Sequence, residues 1–411
     1  MKVAILGYGK EGQSSAKYFQ KHGADVKIWE HITPAEIKTT DFSPYDIVMR
    51  SPALPPQGQD FSSQTKYFFD HCPAPIIGVT GTKGKGTTCS LIASVLRACG
   101  ETVHLLGNIG TPALEALDNI QSSDVVIYEM SSFQLWDMHK SPHIAVVLRL
   151  EPDHLDVHKD YAEYVQAKAN IAKHQVKDDY CIYFHNNPDS TKIAKSSHGT
   201  RIPYPVSGDR TDLMLALQHL AITGPHNAEN AEAALNAAAS YYDLTLAEFL
   251  TKYRKQIQKG LAEFHGLPHR LEFVRELHGI KFFDDNFATN LPSTRAAINS
   301  FRSHPTVLIA GGRDKTDNAD LPDLAALFNR AKNLKRVVLI GESGHELATH
   351  YHSDKFVLAE TLTEAVTTAY KIAMDMPDSI VVMSPAAASF DMFTSYYDRG
   401  EQYQQLVKEL Q

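Results

Sequence analysis

The segment Gly78-Val79-Thr80-Gly81-Thr82-Lys83-Gly84-Lys85-Gly86-Thr87-Thr88 constrains this chain most. It joins an apolar run, PIIGVT, to an apolar-rich one, SLIASVLRACG, an order that reads as strand, glycine-rich loop and helix, with Gly100 as the C-cap. Glycines let backbone N–H groups close on anionic oxygens, and the following helix presents its positive end. Gly81, Thr82, Lys83, Gly84, Lys85, Gly86, Thr87 and Thr88 are therefore expected to cradle phosphates. Lys85 would reach the β/γ-phosphates, and a hydroxyl of Thr87 or Thr88 would ligate Mg²⁺. The usual pattern has Ser or Thr directly after the lysine; here Gly86 intervenes.

Other strand signals extend this unit into an α/β chain. KVAIL, VKIWE and DIVMR open it; DVVIYEM, IAVVLRL and YCIYFHN follow the phosphate loop; LEFVREL, GIKFFDDN, TVLIAGG, RVVLIGE and SIVVMSP close it. Helical patterns lie between them, the Ala-rich HNAENAEAALNAAASYY being the plainest. With 411 residues, about two to four domains are expected. The pattern divides into three α/β domains, 1–72, 73–266 and 267–411: an N-terminal Rossmann-like, a central P-loop ATPase-type and a C-terminal Rossmann-like domain. A net charge of -8 speaks against nucleic acid or an anionic membrane as partner. No run approaches the roughly 18 apolar residues of a membrane span, and no signal peptide is recognisable. The four cysteines have no metal-ligand spacing, so a reduced, cytoplasmic setting is expected.

Several further residues stand where strands end, the edge at which open α/β sheets bind ligands. Glu129 closes DVVIYE, and Asp153 and His154 follow IAVVLRL; oxygen donors with an imidazole suit Mg²⁺ beside phosphate. Gly7, Gly9 and Gly12 form a Gly-x-Gly-x-x-Gly turn after the first strand, with Glu30 closing the next. That fingerprint fits NAD, and equally any diphosphate, including that of a nucleotide sugar. GGRDK (311–315) and SPAAAS (384–389) also follow strands and are suited to a small anion; Asp285 is placed to hold a ribose hydroxyl.

Taken together, these motifs resemble the Mur ligase family across nearly the whole chain. GVTGTKGKGTT, Gly107-Asn108-Ile109-Gly110, EMSSFQL (129–135), DHLD (153–156), Gln166-Ala167-Lys168, Gly224-Pro225-His226-Asn227 with Asn230, GLPHR (266–270), DNFATN (285–290), GGRDK and SPAAASFD carry the resemblance. EMSSFQL and GLPHR favour the branch that adds D-glutamate to UDP-N-acetylmuramoyl-L-alanine. The resemblance implies an ATP-dependent ligase working through an acyl-phosphate in peptidoglycan synthesis, with ATP and one or two Mg²⁺ ions. It implies catalytic Lys85, Glu129, His154 and Lys168, the last carbamylated, with Thr87, Glu129, His154 and Lys168 around the metal. Asn230, Arg270 and Asp285 would join the ATP site. Gly7, Gly9, Gly12, Ser51, Asn108, Ser131 and Gln134 would hold the UDP-substrate, and Thr289, Lys315, Ser389, Phe390 and Tyr396 the amino acid. A monomer is expected. The order Gly-Lys-Gly-Thr is closer to folylpolyglutamate synthetase, and Phe287 and Tyr396 depart from some relatives. A folylpolyglutamate-type ligase and a nucleotide-binding protein without ligase activity are thus the alternative readings.

Overall fold

The structure, a computed structural model, describes residues 1–411 except 57, 109, 156, 206, 223 and 315–318. The chain forms two compact units, Met1–Phe264 and His265–Gln411.

The first unit contains two sheets. Three parallel strands, β1 (Lys2–Leu6), β2 (Asp25–Trp29) and β3 (Ile47–Arg50), pair in the order β2-β1-β3. The second sheet is β4 (Ile76–Thr80), β5 (Val103–Gly107), β6 (Val125–Glu129), β7 (Ile144–Val147), β8 (Tyr180–Phe184) and β9 (Thr200–Tyr204). Its order is β5-β6-β4-β7-β8-β9, all parallel. β4, β6 and β7 are buried along their whole length, as apolar runs in a covered parallel sheet should be. Three strands bury little by themselves, and the first sheet shares a core with the second: Val3, Ile5 and Phe19 belong to one cluster with Val126, Tyr128 and Met130. Phe68 and Phe69 each place their ring 5.5 Å from that of Tyr128. The Ala-rich segment forms the helix Pro225–Tyr241, buried from Ala231 to Ser240 and packed on the helix Lys85–Cys99 behind the phosphate loop.

The second unit is built on β10 (Glu272–Leu277), β11 (Ile280–Asp284), β12 (Thr306–Gly311), β13 (Leu334–Ile340), β14 (Phe356–Leu358) and β15 (Ile380–Met383). Their order is β10-β11-β15-β12-β13-β14, parallel except for β10. β10 and β11 make a hairpin whose two-residue turn has His278 at φ 52° and Gly279 at φ 77°, the twist a tight hairpin favours. The sheet is covered on both faces, one core gathering around Phe282 and Tyr403 and the other around Phe328 and Leu308.

The sequence reading missed β5, β9 and β14. All three are sheet edges and none is fully buried, so they lack the apolar run that marks the central strands. No helix among the described residues is long and apolar enough to cross a membrane.

Candidate active site

The strand order explains why distant motifs meet. β6, β4 and β7 are neighbours, so their carboxyl ends bring together Glu129, the phosphate loop and the segment reaching His154. In the loop, Gly84 is left-handed at φ 86° and caps the helix Lys85–Cys99; a Cβ there would lie 2.5 Å from Asn230 Oδ1. Asn230 thus packs directly on the loop. Lys85 Nζ donates to the carbonyls of Gly81 (3.1 Å) and Thr82 (3.0 Å). Thr82 Oγ1 shares hydrogen bonds with Glu151 and Tyr164, while Lys83 is exposed beside Glu151. Gly86 is buried; Thr87 is half-buried, whereas Thr88 Oγ1 is sealed with no hydrogen-bond partner among the described residues. The Thr87 and Thr88 hydroxyls on the loop after β4 and the Glu129 carboxylate at the end of the adjacent β6 are oxygen donors of the hard type that suits Mg²⁺.

Lys168 lies on the helix Tyr161–Lys173 but points inward, with only 2% of the residue exposed. Its Nζ donates to Thr80 Oγ1 (3.2 Å) and Gly81 O (3.0 Å) and sits 4.8 Å from the centre of the Tyr164 ring. Burial drives its pKa well below the usual lysine range; Lys85 adds to this, and Asp153 and Glu129 oppose it. His154 has φ 54° and packs at 4.9 Å on Phe133. Asn108 Nδ2 reaches Glu129 Oε1 at 3.4 Å.

In the first sheet β1 lies between β2 and β3, which sets the Gly7–Gly12 turn beside Ser51. A Cβ on Gly12 would strike the carbonyl of Gly7, and one on Gly7, at φ 87°, would meet Ser51. These two glycines make the turn possible. Gly9 faces open space. A cavity of about 390 Å³ is lined by Gly9 and Ser51, by Asn108, Ser131 and Gln134, and by Lys85, His154 and Lys168. Ser131 and Gln134 form a reciprocal capping box, Ser131 Oγ accepting from Gln134 N and Gln134 Oε1 from Ser131 N. Of the residues expected to contact a sugar nucleotide, Gly9, Ser51, Asn108, Ser131 and Gln134 thus share one cavity with Lys85, His154 and Lys168, whereas Gly7, Gly12, Thr87 and Glu129 are not among its lining residues.

A second group assembles in the His265–Gln411 unit, at the carboxyl ends of the adjacent strands β11, β15 and β12. Asp285 accepts from Ser384 Oγ at 2.6 Å and from Leu271 N at 3.2 Å. Burial pushes its carboxyl up to about 7, aided by Asp284 and opposed by those two bonds and Arg270. The Arg270 guanidinium lies 3.7 Å over the Phe287 ring, and Phe287 meets Tyr396 edge-on at 5.2 Å. Thr289 is half-buried, Ser389 buried, and Phe390 63% exposed. Lys315 lies outside the described residues.

Arg399, which sequence reasoning passed over, ties this group together. It is fully buried, and its guanidinium donates to Asn286 Oδ1 (2.7 Å) and to the carbonyls of Asn286, Gly311, Ala387 and Ala388. One side chain therefore holds the loops after β11, β12 and β15. Beside it, His269 shares a hydrogen bond with Asp284 at 2.7 Å, and Gln404 donates to both Asp284 and Glu272. His158 was also missed: it is buried behind Phe133, its Nε2 on Ser132 Oγ at 2.9 Å. A lone Arg or His in a polar helix or loop carries no local sign of burial.

Fold and cavity define an α/β protein whose strand-end edge is organised by a glycine-rich loop running from β4 into the helix Lys85–Cys99. Residues 79–238 match the Mur ligase middle domain and residues 269–386 the Mur ligase glutamate ligase domain. A UDP-N-acetylmuramoylalanine–D-glutamate ligase of Acetivibrio thermocellus is 31% identical, the match covering 100% of this chain and 97% of that protein. One from Streptococcus pneumoniae is 30% identical with the same coverage. Among solved structures, the UDP-N-acetylmuramate–alanine ligase of Thermotoga maritima superposes with a TM-score of 0.61 at 16% identity, over 99% of each chain. The MurF ligase of Acinetobacter baumannii gives 0.61 at 18% identity, over 84% of this chain and 79% of that one. These two establish likeness of fold. The chain belongs to the Mur ligase family, ATP-dependent ligases that form amide bonds.

Proposed function

We propose that this ligase adds D-glutamate to UDP-N-acetylmuramoyl-L-alanine through an acyl-phosphate, in peptidoglycan precursor synthesis. The observation that carries the reading is one cavity lined both by Gly9, Ser51, Asn108, Ser131 and Gln134 and by Lys85, His154 and Lys168. The full-length likeness to D-glutamate ligases supports the choice of substrate. Residues 1–72 would bind the UDP-substrate, 73–266 ATP, and 267–411 the amino acid.

In this reading the nucleotide's diphosphate lies on the Gly7–Gly12 turn and Ser51, and the muramoyl-alanine extends past Asn108, Ser131 and Gln134. The phosphate loop from Gly81 to Thr88 and Lys85 hold the triphosphate of ATP, with Asn230, Arg270 and Asp285 as further nucleotide contacts. Thr87 or Thr88, Glu129 and His154 would hold Mg²⁺, which when bound neutralises charge on the phosphates. A buried, neutral Lys168 amine is the form that adds CO₂, and the resulting carbamate would supply a further anionic oxygen ligand. Thr289, Lys315, Ser389, Phe390 and Tyr396 would orient the D-glutamate amine.

The substrate carboxylate oxygen attacks the γ-phosphorus in line, and ADP leaves as Lys85 stabilises the transferring oxygens. The amine then attacks the acyl carbon. The C–O bond to phosphate breaks, phosphate departs with that oxygen, and the amine loses a proton. Positioning and charge stabilisation account for the rate; no protein nucleophile is needed. Substrate labelled with ¹⁸O in its carboxylate tests the route: one label should appear in the released phosphate. Unlabelled phosphate would exclude the acyl-phosphate.

A further inference from the structure

Glu11 is the second residue of the helix Lys10–Lys21 and lies inside the Gly7–Gly12 turn, on the wall of the cavity. Its Oε1 accepts from Nε2 of Gln134, another residue lining the cavity, at 2.7 Å. Oε2 is sealed from solvent and has no hydrogen-bond partner among the described residues. An ionised carboxylate offers about four acceptor positions, so this environment is poor for a charge. The groups facing it do little to repair that. Arg50, from β3, gives its two terminal nitrogens to Asp137 Oδ1 (2.7 Å) and to the carbonyls of Ser51 and Leu54, and its sealed Nε bonds neither oxygen of the Glu11 carboxyl. Tyr128, from β6, is neutral and buried; Lys10 is exposed; and Gln64 donates to the backbone carbonyl of Glu11 rather than its side chain.

We propose that Glu11 is a proton-linked binding residue: an anionic diphosphate lies on the turn only while this carboxyl is neutral, so that binding a sugar nucleotide takes up a proton. The inference rests on the reading that the Gly7–Gly12 turn receives the diphosphate. Burial pushes the Glu11 carboxyl up to about 7, with the Gln134 bond and Arg50 pulling it down only in part. A neighbouring anion disfavours the charged form further. Below about pH 7 the free protein already carries the proton and affinity is full. Above it the proton must be acquired on binding, and affinity falls by up to about tenfold for each pH unit of rise.

The test is calorimetric titration of the full chain with UDP-N-acetylmuramoyl-L-alanine, from pH 6 to 8.5, in buffers of different ionisation enthalpy. The probe's diphosphate is esterified at both ends and does not titrate in this range. The expected result is uptake approaching one proton at high pH and almost none at pH 6, with Kd weakening in parallel. Glu11→Gln, permanently neutral and of the same shape, should keep binding, lose the uptake and flatten the pH dependence. Wild-type binding that is pH-independent without uptake overturns the proposal, as does an E11Q protein that keeps the uptake or, while folded, loses binding. Should E11Q fail to fold, Gln134→Leu, which removes the hydrogen bond that favours the charged carboxyl, should move the onset of uptake to higher pH, and an unchanged onset overturns the proposal. Failure of the wild type to bind the probe at any pH defeats the sugar-nucleotide reading itself, and this inference with it.

Discussion

Enclosing the Lys168 amine against Thr80, Gly81 and the Tyr164 ring disfavours its ammonium form, and that neutral amine is the reactive species toward CO₂. Lys168→Ala should lower turnover by about 10²-fold or more, the scale of losing one charge-stabilising group in a closed site. Protein stripped of CO₂ should lose activity and regain it with bicarbonate, with a ¹³C carbamate resonance present in wild type and missing in the variant. Asp285 gives a second residue-level test. With its folded pKa raised to about 7 from an ordinary value of 3.8, the folded state holds a proton that the unfolded chain has released between those limits. Its contribution to stability is therefore fully present below about pH 4 and is lost as pH rises through 7. The loss amounts to about 1.4 kcal/mol for each pH unit separating the folded and unfolded pKa values. Denaturant unfolding of Asp285→Asn should show a smaller loss of stability between pH 5 and 8 than wild type. Equal slopes would mean that the carboxyl is not held protonated. These properties were invisible in sequence. YAEYVQAKANIA shows Lys168 as one more lysine on a helix, and a carboxylate after a strand does not announce that Ser384 and Leu271 will enclose it.

The elements were more legible than the residues, for a physical reason. Unbroken apolar runs mark central strands because those strands are buried on both faces, whereas β5, β9 and β14 are edges with mixed exposure. Strand-end loops could be read as ligand-bearing; the clamp that holds three of them could not, because Arg399 sits among polar residues in the helix Tyr396–Glu409. Burial brings its pKa down to about 10, so it remains charged at neutrality, bonded chiefly to backbone carbonyls. Arg399→Met should cost about 3 kcal/mol or more in unfolding free energy by leaving those acceptors unpaired. A change under about 1 kcal/mol in denaturant melts would contradict the clamp. In the phosphate loop, Gly84→Ala combines a left-handed φ of 86° with a collision against Asn230. It should cost about 1–2 kcal/mol in conformation alone and weaken ATP binding more than binding of the sugar nucleotide, measured by separate titrations.

At the scale of the whole molecule, three sheets each place their switch-point loops at a carboxyl edge, and the chain's motifs fall on those edges. The first two sheets share a core, so the Gly-rich turn and the phosphate loop face one cavity within one unit. A second strand-end group, tied by Arg399, forms in the His265–Gln411 unit around β11, β12 and β15. The most direct test of the central claim is phosphate release from ATP with UDP-N-acetylmuramoyl-L-alanine, comparing D-glutamate, L-glutamate, other amino acids and no amino acid, with product masses recorded. The account predicts release that requires both substrates and yields the D-glutamyl product. Folded, ATP-binding protein that gives no such product, or that uses another amino acid in preference, would contradict it.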